Sequence, residues 1–272
     1  MKHVVIEPKK GWEAFNFSEL REFKDLFILL SLRDVKLRYK QTLLGVFWVL
    51  FQPLVTVAIF SVIFGKLAKL PSDGVPYIIF VFSGLLPWLF FSQAIQRASN
   101  SLISDARLIS RVYFPRILVP VSSAAAVVVD FLVMAAALFI IMAIYQVPPT
   151  WKLIFLPVLL LITFVFSSAM GIWLSAFNVY YRDFAYVLPF IIQVWMYASP
   201  IVYSGSIVPE KWAFLYSLNP ISGIIDAFRW SILGTVKFPY FSFSISCLLV
   251  LISFFGSCYT FKRIERFFAD VI

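Results

Sequence analysis

Residues 33–65 read RDVKLRYKQTLLGVFWVLFQPLVTVAIFSVIFG, a group of cations followed at once by a long apolar run. A helix of about 20 apolar residues is long enough to cross the hydrocarbon core of a bilayer. The run therefore predicts a membrane span near residues 46–65. Positive charge beside a span normally sets its orientation, and this span is preceded by four cations: Arg33, Lys36, Arg38 and Lys40.

Similar apolar runs continue along the rest of the chain. Apolar residues make up 61% of the sequence and charged residues 14%, against about 45–50% and about 25% in soluble domains. Lipid must therefore act as the solvent for much of the surface. We predict an all-α polytopic membrane protein with six transmembrane helices, near residues 46–65, 76–96, 118–145, 153–177, 185–203 and 243–261.

The segment 204–242, before the last span, is ambiguous. Its apolar stretch 212–233 is long enough to cross, but Asn219-Pro220 and Gly223 divide it into short halves. Short apolar halves suit a re-entrant hairpin better than a span. Six spans place 17 of the 23 Lys and Arg residues on the side of the N-terminus, which by the positive-inside rule is the cytoplasm. We therefore predict a re-entrant hairpin before the last helix, with both termini cytoplasmic.

The chain then divides into a cytoplasmic arm (1–42), a transmembrane domain (43–262) and a short cytoplasmic tail (263–272). Within the arm, Asn16 and Glu19 have the spacing of a capping box at a helix start. Phe23, Phe27 and Leu30 continue one apolar face. We interpret this pattern as an amphipathic helix in the membrane interface. The alternative is a cytosolic helix packed on the rest of the protein.

The residues needed for several kinds of chemistry are missing. The sequence has no G-x-x-x-x-G-K-[ST] phosphate loop, one histidine (His3) and two cysteines, so we predict no metal site and no catalytic site. The cations flank the apolar runs, which argues against nucleic acid as a partner. Asp130 is the one carboxylate deep in a predicted span. It could relay protons or bind an ion, but without a second buried acid or base a structural role is favoured.

Three motifs together resemble those of the ABC-2 type polysaccharide export permeases. The first is LRYKQTLLGVFWVLFQP at 37–53, which looks like the first-span signature of that family. The second is NVYYRD at 178–183, and the third is Asn219-Pro220 followed by Arg229. The resemblance covers roughly residues 30–265.

The resemblance implies a subunit of a transporter in the bacterial cytoplasmic (inner) membrane. Such permeases form homodimers and bind two copies of a separate cytoplasmic ABC ATPase, which carries the ATP and Mg²⁺. This chain would then need no cofactor and would not be an enzyme. The implied substrate is a polysaccharide of the O-antigen, capsule or teichoic acid type, linked to polyprenyl pyrophosphate.

Candidate site residues follow for three roles. The cations before the first span lie where a lipid phosphate would bind, and for the carrier pyrophosphate we choose Arg33, Arg38 and Lys40; plain anchoring is the alternative. The family resemblance places ATPase docking in loops 99–116 and 178–184, with Arg107, Arg111, Tyr113, Phe114, Arg182 and Asp183. It also implies a channel lined by spans one and five, where sugar rings would stack on Phe47, Trp48, Phe51, Trp195, Tyr197 and Tyr203.

Two other functions stay open on the sequence. One is an ABC-2 permease for a small lipid or drug, against which the RYKQT run and the interfacial arm argue. The other is a membrane-embedded polyprenyl-phosphate glycosyltransferase. Such an enzyme would need clustered acidic residues on one membrane face, whereas the carboxylates here are scattered.

Overall fold

All regular secondary structure is helical in the residues that this computed structural model describes, which are 22–40, 45–181, 183–235, 237–265 and 268. In chain order the α-helices are α1 (Lys24–Lys40), α2 (Gly45–Phe60), α3 (Tyr77–Ser104), α4 (Ala106–Ile109), α5 (Leu118–Ala125), α6 (Val127–Ile144), α7 (Leu156–Tyr180), α8 (Phe184–Tyr197), α9 (Glu210–Ser217), α10 (Pro220–Leu233) and α11 (Tyr240–Glu265). A π-helix (Ser61–Leu67) continues α2, and 3-10 helices occupy Trp151–Phe155 and Gly205–Ile207.

Five helical stretches in the described part of the chain are long and apolar enough to cross a membrane. They coincide with predicted spans one, two, three, four and six, and the all-helical membrane fold is thereby confirmed. Their bounds are Phe47–Leu67, Tyr77–Ser104, Leu118–Ile144, Trp151–Tyr180 and Tyr240–Glu265.

The fifth predicted span, 185–203, is helical only in its first part. Helix α8 has 14 residues and is therefore about 21 Å long, less than the roughly 30 Å of a hydrocarbon core. The chain continues as turns, and Ser204 donates a hydrogen bond of 2.8 Å to Asp73 just before α3. Residues 184–204 thus connect the end of α7 to the beginning of α3. The count of six spans stays a prediction, because α8 alone is too short to cross.

The predicted break at Asn219-Pro220 is present. Helix α9 ends at Ser217 and α10 begins at Pro220, since proline suits the first position of a helix but not its interior. The indole Nε1 of Trp195 donates to Asn219 Oδ1 at 2.9 Å, and its ring packs against Phe91 and Phe166. Both phenylalanines lie halfway along their helices, so the tip of the hairpin reaches the middle of the bundle.

Gly223, which was predicted to divide the stretch together with Asn219-Pro220, does not interrupt the helix. Gly223 lies inside α10, where it is buried against α11. A Cβ at this position would lie 2.6 Å from the carbonyl oxygen of Ser242 and would also collide with the hydroxyl of Ser246. Glycine is required here because two helices approach closely, and the backbone stays helical through it.

Helix α3 forms the centre of the bundle. It packs against α2, α5, α6, α7, α8 and α10, and most of its side chains are fully buried. Helices α2 and α8 lie at the periphery and keep broad apolar faces exposed; on α8 the exposed side chains include Tyr186, Phe190 and Tyr197. Two peripheral helices of one chain therefore carry apolar surface that nothing in the described part of the protein covers.

The apolar face predicted for the first helix points toward the protein. Leu30 is buried, and Phe23 and Phe27 pack against a small core that includes Ile109 and Leu118. The membrane-facing assignment of these three residues is therefore wrong, because the bundle covers them. A different apolar strip of α1 is exposed, formed by Ile28, Leu29, Leu32 and Leu37. The capping residues Asn16 and Glu19 lie outside the described residues.

The bundle has two chemically distinct ends. We call one the α1 end, where α1 packs on α5 and beside the last turns of α3. We call the other the hairpin end, where α9 and α10 meet the beginnings of α3 and α11.

Candidate functional site

At the α1 end, Arg33 and two carboxylates connect helix α1, helix α5 and the loop after α3. Its Nη2 lies 2.8 Å from Asp34 Oδ1 and 2.6 Å from Asp105 Oδ2, and Ser123 on α5 donates to Asp34 Oδ2 at 2.8 Å. Partial burial lowers the pKa of Arg33, but the hydrogen bonds that Arg33 donates to Asp105 and Asp34 outweigh this effect, so the pKa is raised. Helix α1 is thereby held to α5 and to the residue that begins the loop after α3.

Asp130 on α6 forms a second set of polar contacts with α1. Its fully buried carboxylate accepts hydrogen bonds from the guanidinium of Arg38 and from the hydroxyl of Tyr39. Burial and then the nearby Arg97 cation lower the pKa of Arg38 to about 10, so the guanidinium stays charged at neutral pH. A buried carboxylate is tolerated in a membrane helix when a cation and further hydrogen bonds satisfy it. These bonds agree with the structural role that the sequence favoured for Asp130.

This geometry changes the reading of the three predicted phosphate-binding cations. Arg33 and Arg38 are engaged by carboxylates, so a phosphate would have to compete for them. Lys40, at the last residue of α1, is exposed. Lys36 lies one helical turn before it and is also exposed. Lys36 was not among the three predicted residues, although its i, i+4 spacing places it on the same face of the helix as Lys40.

The first predicted docking loop lies at the α1 end and presents several exposed side chains. Arg107, on the short helix α4, and Arg111 and Tyr113 after it present their side chains to the outside. Phe114 is 4% exposed and packs in a core with Leu102. It therefore forms no part of the exposed loop surface.

The second predicted loop lies close to the first. The Asn178 amide donates to the Ser99 carbonyl at 3.0 Å and to Asn100 Oδ1 at 3.1 Å, which ties the end of α7 to that of α3. Asp183 follows and is exposed, whereas Arg182 lies outside the described residues. The two loops therefore leave the bundle from the same end.

Three of the predicted channel aromatics form one cluster at the start of α2. Phe47, Trp48 and Phe51 are 48%, 57% and 44% exposed. Their ring centroids lie 5.2–5.7 Å apart, with Phe47 and Phe51 stacked and Trp48 edge-on to both. This contiguous aromatic surface faces away from the bundle.

The other three candidates are not part of this cluster. Tyr197, at the end of α8, is exposed. Trp195 is half-buried and packs inside the bundle, where it holds the hairpin tip through Asn219. Tyr203 is half-buried in the turn after α8, and its carbonyl accepts a hydrogen bond from Arg229.

At the hairpin end, Arg229 of the third sequence motif is a fully buried cation. It donates to the carbonyls of Ile201 at 2.7 Å and Tyr203 at 2.9 Å, and its guanidinium carbon lies 3.8 Å from the centroid of the Phe80 ring. A Cβ on Gly84 would lie 2.7 Å from its Nη2. Arg229 thereby fastens α10 to α3 and to the end of the fifth predicted span.

Comparisons with known proteins give a consistent result. The family described as ABC-2 type transporter matches residues 25–233. The chain is 26% identical over 220 residues to the O-antigen export system permease protein RfbA of Klebsiella pneumoniae, covering 80% of this chain and 84% of the relative. The protein of the same name from Myxococcus xanthus is 28% identical over 213 residues, covering 78% and 81%. The polysialic acid transport protein KpsM of Escherichia coli is 21% identical over 215 residues, covering 75% and 80%.

Proposed function

The chain belongs to the ABC-2 type transporter family, and we propose that it is the permease subunit of an exporter for a polysaccharide linked to polyprenyl pyrophosphate. As a member of this family it is a multi-pass membrane transport subunit and not an enzyme. ATP hydrolysis then belongs to a cytoplasmic ABC ATPase on another chain.

The polysaccharide substrate is supported mainly by the aromatic cluster of Phe47, Trp48 and Phe51. Aromatic rings offer flat apolar surfaces on which the C–H faces of sugar rings stack. A moving polymer needs contacts that repeat and exchange easily, and an exposed cluster without a deep pocket provides them. The relatives named for O-antigen export and polysialic acid transport support the same class of substrate.

We propose that two copies of the chain enclose the transport path. The exposed apolar faces of α2 and α8 would meet those of the second copy, with the aromatic cluster and Tyr197 beside the seam. Both helices pack on α3, so a shift of α3 relative to its partner copy would move both walls of the path together.

The ATPase would dock at the α1 end, which we assign to the cytoplasm. Arg107, Arg111 and Tyr113 from one loop, with Asp183 from the other, form an exposed surface there. Asp105, immediately before α4, holds Arg33 of α1 at 2.6 Å. Motion of the docked ATPase would therefore reach α1 through this ion pair as well as through α3.

For the carrier pyrophosphate we retain Lys40 and add Lys36. Both are exposed on α1 beside the start of the first span, where the headgroup of the carrier would lie. Arg38 would act differently, because its ion pair with Asp130 fixes the position of α1 in the bundle.

Deletion of the gene in its host, followed by complementation, tests the proposed function. We expect loss of the surface polysaccharide together with accumulation of the carrier-linked glycan inside the cell. Replacement of Trp48 and Phe51 by leucine should slow export while assembly of the complex is retained. Leu251→Ala, at an exposed apolar residue of α11 away from this face, is the control. Normal surface polysaccharide in the deletion strain would contradict the proposal.

A further inference from the structure

The hairpin end contains a cavity that the transport path does not use. Its volume is about 500 Å³, and it lies between α9, α10 and the start of α11. This volume falls in the usual range for sites that bind small molecules. Charged side chains of both signs line it: Asp73, Asp226, Arg229 and Lys237.

The two carboxylates in this cavity are incompletely satisfied. Asp226 Oδ2 accepts the hydroxyl of Tyr216 at 2.6 Å, but its Oδ1 lies 3.9 Å from Arg229 Nη1, too far for a hydrogen bond. Asp73 Oδ2 accepts from Ser204 at 2.8 Å. Within the described residues, the second oxygen of each carboxylate therefore has no hydrogen-bond donor. Arg229 lies within ion-pair distance of Asp226, but it donates its hydrogen bonds to two backbone carbonyls. Each carboxylate therefore keeps one oxygen for a further N–H donor.

The position of the cavity indicates that this donor could belong to a membrane lipid. Asp73 precedes the span that begins at Tyr77, and Lys237 precedes the span that begins at Tyr240. Both therefore lie at the level of the phospholipid headgroups. Tyr240 and Phe241 line the cavity and are 76% and 62% exposed. An exposed tyrosine at the start of a span is typical of a membrane interface.

We propose that this cavity binds the headgroup of an ethanolamine phospholipid. The primary ammonium would lie between Asp73 and Asp226, and the phosphate would lie toward Lys237. Opposite charges in one cavity fit a zwitterion, whereas an anionic headgroup would meet the two carboxylates. An ammonium with three N–H donors fits open carboxylate oxygens. A choline headgroup has none and is better held by a cage of aromatic rings.

Lipid titration of the purified full chain, followed by native mass spectrometry, tests this proposal. The probes are phosphatidylethanolamine, phosphatidylcholine and phosphatidylglycerol with identical acyl chains. We expect the ethanolamine lipid to bind at least about tenfold more tightly than the choline lipid. The choline lipid cannot donate the charge-assisted hydrogen bonds to the carboxylates, and the loss of even one such bond corresponds to about this factor. The change Asp73→Asn should remove most of this preference. The matched control is Glu210→Gln, an exposed carboxylate at the start of α9, which should leave it intact.

Three results would overturn the proposal. Equal affinity for the ethanolamine and choline lipids would show that the ammonium donors are not recognised. Affinity for phosphatidylglycerol equal to that for the ethanolamine lipid would show that the cavity recognises only the phosphate, which both lipids carry. The same loss in Glu210→Gln as in Asp73→Asn would point to general surface charge. Because the assay needs neither ATPase nor glycan, its outcome is independent of the transported substrate.

Discussion

Replacement of Arg38 by glutamine should destabilise the protein, because it leaves the Asp130 carboxylate charged and buried without its cation. Breaking a fully buried ion pair costs about 3–5 kcal/mol. Arg38 keeps a quarter of its side chain exposed, and water and the Tyr39 hydroxyl compensate in part, so we expect about 2 kcal/mol. For a chain of this size that corresponds to a fall in Tm of roughly 4–8 °C.

The assay is thermal unfolding of the purified chain, followed with a thiol-reactive dye that reports exposure of the buried Cys258. Asp130→Asn alone should lower the free energy of unfolding by less than Arg38→Gln does, because the Arg38 cation that remains is partly exposed. The double change Arg38→Gln with Asp130→Asn should be more stable than Arg38→Gln alone. Lys36→Gln, an exposed cation on the same helix, is the matched control.

Export measured in Arg38→Gln and in the double variant separates the two roles of Arg38, and Lys36→Gln is the control for stability alone. If Arg38 acts through Asp130, the double variant should recover export that Arg38→Gln loses. If Arg38 binds pyrophosphate directly, the second change should not restore it. An Arg38→Gln protein as stable as the Lys36→Gln control would refute the reasoning about the buried carboxylate.

Three further predictions follow from the two ends of the bundle and from the hairpin. Lys211→Cys should react with an impermeant thiol reagent added to intact cells and Arg107→Cys should not; labelling of both would contradict the assigned orientation. Charge reversal at Arg107 and Arg111 together should reduce co-purification of the ATPase several-fold, and an intact complex would exclude docking there. Gly223→Ala should lower thermal stability by about 1–3 kcal/mol through overpacking against Ser246, and an unchanged Tm would disprove the close contact.

The membrane-length helices were predictable because a run of apolar residues is a local property. The break at Asn219-Pro220 was also local, since proline restricts the residue before it and cannot continue a helix. Gly223 misled the prediction because a glycine signals flexibility and close packing equally well. Only the position of α11 decides between them.

The orientation of α1 could not be derived from its sequence. Apolar residues occur on more than one side of the helix, and Leu30 and Leu32 look equally suitable for a membrane. One is buried and the other is exposed, because the position of the core around Leu118 determines which side is covered. Periodicity finds an apolar face but does not identify what covers it.

The ion pairs of the α1 end were hidden for a related reason. Arg33 and Asp105 are 72 residues apart, and Arg38 and Asp130 are 92 residues apart. Their meeting depends on the register of one helix against a bundle, which local sequence does not encode. At the hairpin end, Asp226 and Arg229 are three residues apart on one helix, so this pair could have been proposed from its spacing alone.

The contact between Gly84 and Arg229 also constrains how this protein can change over generations. A side chain at position 84 would push the guanidinium away from its two carbonyl acceptors, so replacing the glycine first weakens these bonds. Losing the arginine first leaves the carbonyls of Ile201 and Tyr203 without their donor. Each single step is therefore harmful, and the two positions should be inherited as a unit or exchanged together.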